Sequence, residues 1–113
     1  MLCSKCADGT GSDDFYAAMR DCKDAASFLE EIEQIPQDKT IRDQWQYQVL
    51  CRVLANHQVI FVTEPQWESI VREMKMDYAP TIQAALEMAY EDKGENAHLV
   101  VIPDGISVIV DGQ

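Results

Sequence analysis

The sequence predicts an α/β fold, a three-layer sandwich with a mostly parallel sheet of about four or five strands and helices on both faces. Short apolar runs alternate with longer segments of helical periodicity along all 113 residues. Residues 58–63 form an apolar run between polar ends, which is typical of a strand buried on both faces of a parallel sheet. The alternation favours right-handed crossovers around one core, so we expect residues 1–113 to form a single domain.

The elements follow one another along the chain with recognisable start and stop signals. Ser12 is a suitable N-cap, Pro36 ends a helix, Pro65 fits a first helical turn, and Gly94 suits an αL cap. Helices are predicted over 13–20, 25–34, 41–56, after Pro65, and over 81–92. Strands are predicted over 1–5, 58–63, 76–79, 99–102 and 106–110, with the turn Pro103-Asp104-Gly105 joining the last two.

The helix predicted over 41–56 carries an apolar stripe at four-residue spacing, formed by Ile41, Trp45, Val49 and Val53, with Leu50 and Leu54 beside it. This spacing predicts that the stripe faces the core. Thr40 and Asp43 have the spacing of a capping box at the start of the helix. Glutamines at 44, 46 and 48 flank the tryptophan, where Lys and Glu would be usual on a solvated face. From the residues alone, Trp45 is a core side chain beside a neutral polar surface.

Composition restricts the classes of partner. Twenty acidic and nine basic residues give a formal charge of -11, which opposes binding to nucleic acid and to anionic membranes. No apolar run approaches the ~20 residues that cross a bilayer, and the first residues do not resemble a signal peptide. We therefore expect a cytoplasmic protein.

The cysteines and the first loop are candidate sites with plainer alternatives. Cys3 and Cys6 form a C-x-x-C that could be a redox pair or half of a zinc site, but nothing completes a metal set. A structural role is favoured, with Cys3 on a buried strand and Cys6 at its end. The loop with Asp8, Gly9 and Gly11 could present N–H groups to a phosphate, although a tight turn is the simpler interpretation. His57 and His98 are expected to be surface or capping residues, so no metal site is predicted.

Several motifs occur in an order that resembles one family. They are Cys6-Ala-Asp-Gly-Thr-Gly11 with Asp14-Phe15-Tyr16, then Asp43-Gln44-Trp45-Gln46-Tyr47-Gln48, then Val59-Ile-Phe-Val62, and Val101-Ile-Pro-Asp-Gly-Ile-Ser-Val-Ile-Val110. Over essentially the whole chain, the sequence resembles the C-terminal part of the nickel-dependent lactate racemase family. The Asp-Gln-Trp-Gln and Pro-Asp-Gly-Ile-Ser-Val segments are the most specific parts of this resemblance.

The resemblance implies that the catalytic parts lie elsewhere. In this family an N-terminal domain carries the acid/base histidines, the lysine that tethers the nickel pincer nucleotide and a nickel-ligating histidine. A preceding segment holds the substrate carboxylate. This chain has two histidines, His57 and His98, and no counterpart to those motifs. It is therefore expected to bind no cofactor alone, and to be inactive without an N-terminal partner domain.

The family also assigns Trp45 to a substrate pocket formed with the N-terminal domain. With Gln44 and Gln48 beside it, the tryptophan would form a substrate-facing surface for a small 2-hydroxy acid, and pocket and core roles for Trp45 both stay open. The predicted function is thus that of a racemase or epimerase domain, an isomerase only as part of a longer enzyme. The alternative is a non-enzymatic α/β interaction module, possibly with a C-x-x-C redox role.

Overall fold

The computed structural model describes residues 1–6, 9, 12–104 and 111. Its strands are β1 (Leu2–Cys3), β2 (Ile60–Val62) and β3 (Asp77–Ala79). Its α-helices are α1 (Asp13–Asp21), α2 (Ala25–Glu33), α3 (Gln44–Asn56), α4 (Glu68–Glu73) and α5 (Ile82–Lys93). Two short 3₁₀ helices, Gln37–Lys39 and Pro65–Trp67, precede α3 and α4.

The sheet is parallel throughout the described residues, in the order β1-β2-β3 with β2 in the centre. Phe61 is aligned with Leu2 on one side and with Tyr78 on the other. Parallel neighbours need crossovers, and α1 to α3 connect β1 to β2 while α4 connects β2 to β3. The predicted α/β class, with a parallel sheet, is confirmed.

The predicted number of strands was wrong. The described part of the chain has three strands, because residues 99–102 are not in a strand. A segment of strand-forming residues becomes a strand only where it can pair with the edge of a sheet. Residues 99–102 pair with no described strand. The strand predicted over 106–110 lies outside the described residues.

Helices cover both faces of the sheet, as predicted. Ile60, Val62 and Ala79 pack against Ala85 of α5 on one face. The opposite face, with Phe61 and Tyr78, packs against α1, α2, α3 and α4 in a larger cluster whose buried members include Met19, Ile32, Tyr47, Cys51 and Val71. Strand alternation explains this division, because successive side chains point to opposite faces. The domain therefore has three layers.

Local signals set most helix boundaries. Side-chain oxygens of Ser12, Asp24 and Thr81 accept hydrogen bonds from backbone N–H groups three residues later, at the starts of α1, α2 and α5. Gly94 ends α5 with φ of 88°, a positive value that favours glycine, although ψ of 160° differs from the predicted αL cap. Among the described helices, none has both the length and the apolar composition to span a bilayer.

Candidate functional site

The buried side of α3 is centred on Tyr47 and Cys51 and not on the predicted stripe. Tyr47 and Cys51 are fully buried, and the Tyr47 ring stacks on Phe28 of α2 with centroids 5.4 Å apart. The stripe predicted to face the core is exposed along its whole length, and we call it the α3 ridge: Ile41, Trp45, Val49 and Val53. The helix prediction was confirmed from Gln44 to Asn56, but the orientation prediction was wrong.

The error has a physical cause. Tyr47 and Cys51 form a second apolar set that packs into the core cluster. Leu50 and Leu54, which were predicted beside the stripe, lie between the two sets and pack against the same cluster. With apolar sets on two sides, the sequence pattern does not determine which side of the helix faces the core. Packing against Met19 and Phe28 decides between them, and those contacts are not visible in the helix sequence.

The turn before α3 is built differently from the predicted capping box. Asp43 occupies the N-cap position with φ of 60°, a left-handed conformation, and its carboxylate makes no capping bond. Gln44 closes the turn in both directions, because its N–H donates to the Ile41 carbonyl at 3.2 Å and its Oε1 accepts from the Ile41 N–H at 3.3 Å. Thr40 donates its hydroxyl hydrogen to the Gln37 carbonyl instead. The capping-box prediction was therefore wrong, and Gln44 holds the turn.

The three predicted substrate-facing residues differ in exposure. Trp45 is 67% exposed, which is unusual for a tryptophan in a domain with a buried core. Gln48, one turn further on, is half-buried, and Gln44 is buried beneath the turn. Trp45 and Gln48 thus reach the surface, while the amide oxygen of Gln44 is used inside the domain.

The first loop is only partly described. Asp8 and Gly11 lie outside the described residues, so Gly9 is the only residue of the predicted loop site that the structure describes. Gly9 has φ of 76°, and its N–H donates to the Cys6 carbonyl at 3.0 Å, as in a tight turn. His57 and His98 are both exposed, and His57 ends α3 as its C-cap residue.

Cys3 and Cys6 line different concave surfaces. Cys3 borders an open groove with Val62, whereas Cys6 borders an apolar cavity of about 260 Å³ with Leu2 and Phe15. Cys3 is on β1 as predicted, but it is exposed rather than buried, because β1 is at the edge of the sheet that the described strands form. The two thiols therefore have different surroundings, which disfavours a joint redox role.

Cys51 is the buried free cysteine. Its Sγ lies 3.7 Å from the Met19 Sδ, and burial raises the pKa of the Cys51 thiol to about 12. The thiol therefore stays protonated at neutral pH and behaves as a small apolar side chain.

We expect no disulfide reductase activity in the unsubstituted chain, in Cys3→Ser or in Cys6→Ser, because the two thiols line different concave surfaces. Cys3→Ser should change the free energy of unfolding by less than ~0.5 kcal/mol, since the side chain is exposed. Insulin reduction and urea unfolding of both variants measure this. Wild-type reductase activity that disappears in both variants would contradict it.

A second concave surface lies at the carboxyl end of the sheet, where ligands of open α/β sheets usually bind. This groove of about 480 Å³ is lined by residues that follow the strands, among them Ser4, Lys5, Thr63, Glu64 and Pro80. The Thr63 hydroxyl is buried and has no hydrogen-bond partner among the described residues. Within those same residues, no group of three His, Cys, Asp or Glu side chains is placed to hold a metal ion.

Sequence reasoning missed the exposure of the α3 ridge and the role of Gln44. The exposure of the ridge could have been expected from the sequence, because a helix with two apolar sets can bury one in the core and expose the other to a partner. The αL conformation of Asp43 has no comparable signal beyond the known tolerance of Asp for that region.

Comparison with known proteins agrees with the fold and with the resemblance. The family model described as lactate racemase C-terminal domain matches residues 1–110. The chain is 41% identical to lactate racemase of Lactiplantibacillus plantarum over 103 residues, which are 91% of this chain and 24% of that protein. It is 37% identical to lactate racemase of Thermoanaerobacterium thermosaccharolyticum over 97% of this chain and 26% of that protein.

A solved structure gives the same result. The lactate racemase apoprotein from T. thermosaccharolyticum superposes with a TM-score of 0.92 at 37% identity, covering 97% of this chain and 26% of that chain. The chain thus spans about a quarter of the length of these relatives. With the match over residues 1–110, the chain belongs to the lactate racemase C-terminal domain family.

Proposed function

We propose that this chain is the domain of a 2-hydroxy acid racemase that covers the substrate pocket of an N-terminal catalytic domain. Two relatives over which it aligns are lactate racemases, and the chain matches about a quarter of each. The acid/base groups and the nickel pincer nucleotide belong, in this proposal, to the other domain. The chain alone is inactive.

The α3 ridge is the observation that supports this proposal most strongly. Trp45, Val49 and Val53 extend over about 12 Å of α3 at 1.5 Å per residue, and Ile41 precedes the helix. Contiguous exposed apolar surface of this kind marks an interaction site in soluble proteins. The exposed tryptophan lies near the start of the ridge, at 67% exposure, and an aromatic ring there gains much from being covered.

The residues around Trp45 can orient a small hydroxy acid. The indole forms an apolar wall that excludes water, and the Gln48 amide one turn away offers a donor and an acceptor to a hydroxyl or a carboxylate. Gln44 supports this surface from below, because its two bonds to Ile41 fix the turn from which Trp45 projects. The substrate-facing set is therefore Trp45 and Gln48 at the surface, with Gln44 as their support.

The described residues of this chain do not fit a nickel site, since no group of three metal-binding side chains occurs among them. When bound to the other domain, the cofactor would supply the redox chemistry at the substrate carbon. This chain contributes the apolar wall formed by Trp45 and the side-chain amide of Gln48. The free cysteines and the acidic charge are compatible with a cytoplasmic enzyme, which we also propose.

The isolated chain is expected to show no racemisation of D-lactate when the mature cofactor is supplied, because it lacks the acid/base groups of the proposed mechanism. The matched sample is a fusion in which residues 1–113 follow the N-terminal portion of the T. thermosaccharolyticum racemase. We expect the fusion to form L-lactate, measured with a stereospecific assay. Turnover by the isolated chain would overturn the proposal, and an inactive, well-folded fusion would favour a non-enzymatic interaction module.

A further inference from the structure

The surface of α3 differs in charge from the rest of the domain. No Asp or Glu occurs from Gln44 to Asn56, whereas α1, α2, α4 and α5 each carry two or three. The amide and charged side chains of α3 are three glutamines, one asparagine and Arg52. With Arg42 and Asp43 of the preceding turn, residues 41–56 have a net charge of +1, so the other residues carry -12 of the total of -11.

Arg52 lies on the side of α3 that carries Trp45 and Gln48. It follows Gln48 by four residues and Trp45 by seven, and helical residues at these spacings share one side. Trp45 and Arg52 are exposed and Gln48 is half-buried. Arg52 is about 10.5 Å beyond Trp45 along the helix axis, and helical side chains lean toward the N-terminus, which brings the guanidinium back toward Gln48.

Arg52 also differs from two other arginines of the domain in its partners. Arg20 pairs with Asp21 at 2.9 Å. Arg72 pairs with Glu68 at 3.1 Å. Arg52 makes no ion pair with any residue that the structure describes. Its positive charge is therefore not offset by a neighbouring carboxylate of the described residues, and it acts on an anion that approaches this side of α3.

We infer that Arg52 attracts the anionic substrate to the pocket that Trp45 and Gln48 line, an inference that rests on the proposed function. A 2-hydroxy acid is an anion at neutral pH, since carboxyl groups have pKa values of about 4. The acidic remainder of the domain repels such an anion, and charges along an approach change how fast and how well a charged ligand associates. A helix surface with one cation and no carboxylate removes that repulsion where the substrate enters.

Two other roles for Arg52 predict different results. A bidentate bond to the substrate carboxylate needs the planar guanidinium, and lysine does not replace it there. An ion pair with the covering domain would hold the two domains together, so its loss would expose Trp45. Attraction at a distance depends on charge alone, is weakened by salt, and leaves the catalytic step unchanged.

The test measures KM and kcat for D-lactate in the fusion at low and at physiological ionic strength. Arg52→Gln should raise KM about threefold at low ionic strength with kcat within about twofold, and added salt should shrink the rise. Arg52→Lys should keep the original KM, and Arg52→Glu should raise it further. Lys93→Gln is the matched control, because it removes one positive charge from α5, where Lys93 pairs with Asp92 at 3.4 Å. KM should change by less than about 1.5-fold in that variant.

Each other outcome overturns the inference. An unchanged KM in Arg52→Gln, or the same rise in Lys93→Gln, would mean that Arg52 has no special effect on the substrate. A raised KM in Arg52→Lys would indicate direct contact with the carboxylate. Stronger quenching of Trp45 by the neutral quencher acrylamide in Arg52→Gln would indicate a pair between domains. In these three cases the active fusion leaves the proposed function standing, whereas a fusion without activity would count against both.

Discussion

Tyr47→Ala is expected to lower the free energy of unfolding of the isolated chain by about 3–5 kcal/mol, as for other large aromatic residues truncated in cores. Tyr47 is 1% exposed and stacks on Phe28, so truncation removes both buried area and a ring contact. Trp45→Ala should change the same quantity by less than ~1 kcal/mol, because most of the Trp45 side chain is already in water. The two neighbouring aromatics should thus differ strongly in urea unfolding.

Tyr47→Phe is the matched control, because it keeps the ring and removes only the hydroxyl. It should be much milder than Tyr47→Ala. A large loss of stability in Trp45→Ala together with a small one in Tyr47→Ala would mean that α3 is turned the other way, as the stripe pattern first predicted.

Trp45→Phe in the fusion is expected to lower kcat/KM for lactate by about tenfold, or ~1.4 kcal/mol in activation free energy. Phenylalanine keeps an aromatic ring but fills less of the wall against the substrate, so water exclusion and orientation both suffer. The melting temperature should stay nearly unchanged, because Trp45 contributes little to the core. Steady-state kinetics and thermal unfolding on the same samples separate the two effects.

Trp67→Phe supplies the comparison for that experiment. Trp67 packs against the core cluster, and its buried Nε1 has no hydrogen-bond partner among the described residues. Trp67→Phe therefore breaks no hydrogen bond that the structure describes. Activity per folded molecule should be retained in Trp67→Phe. Equal losses of activity in the two variants would mean that Trp45 has no special place in the pocket.

The sequence predicted most elements because their signals are local. Ser12 caps the helix that follows it, and the apolar run around Phe61 is the central strand of the described sheet. These features depend on neighbours within a few residues, which a sequence pattern contains.

Orientation and pairing could not be predicted, because they depend on distant partners. The contacts of Tyr47 with Phe28 and of Cys51 with Met19 determine which side of α3 is buried. Residues 99–102 have strand composition but no edge among the described residues, so composition alone overestimated the sheet. The exposure of Cys3 likewise follows from the position of β1 at the edge of the described strands, which only the strand order reveals.

The most direct test of the central claim measures the solvent accessibility of Trp45 in a Trp67→Phe background, where its fluorescence is the only tryptophan signal from this chain. Iodide should quench Trp45 efficiently in the isolated chain and much less in the fusion with the N-terminal portion, with a further change when lactate is added. Any fluorescence of the N-terminal portion is subtracted with a Trp45→Phe fusion. If Trp45 is as accessible in an active fusion as in the isolated chain, this domain does not cover the substrate pocket with α3.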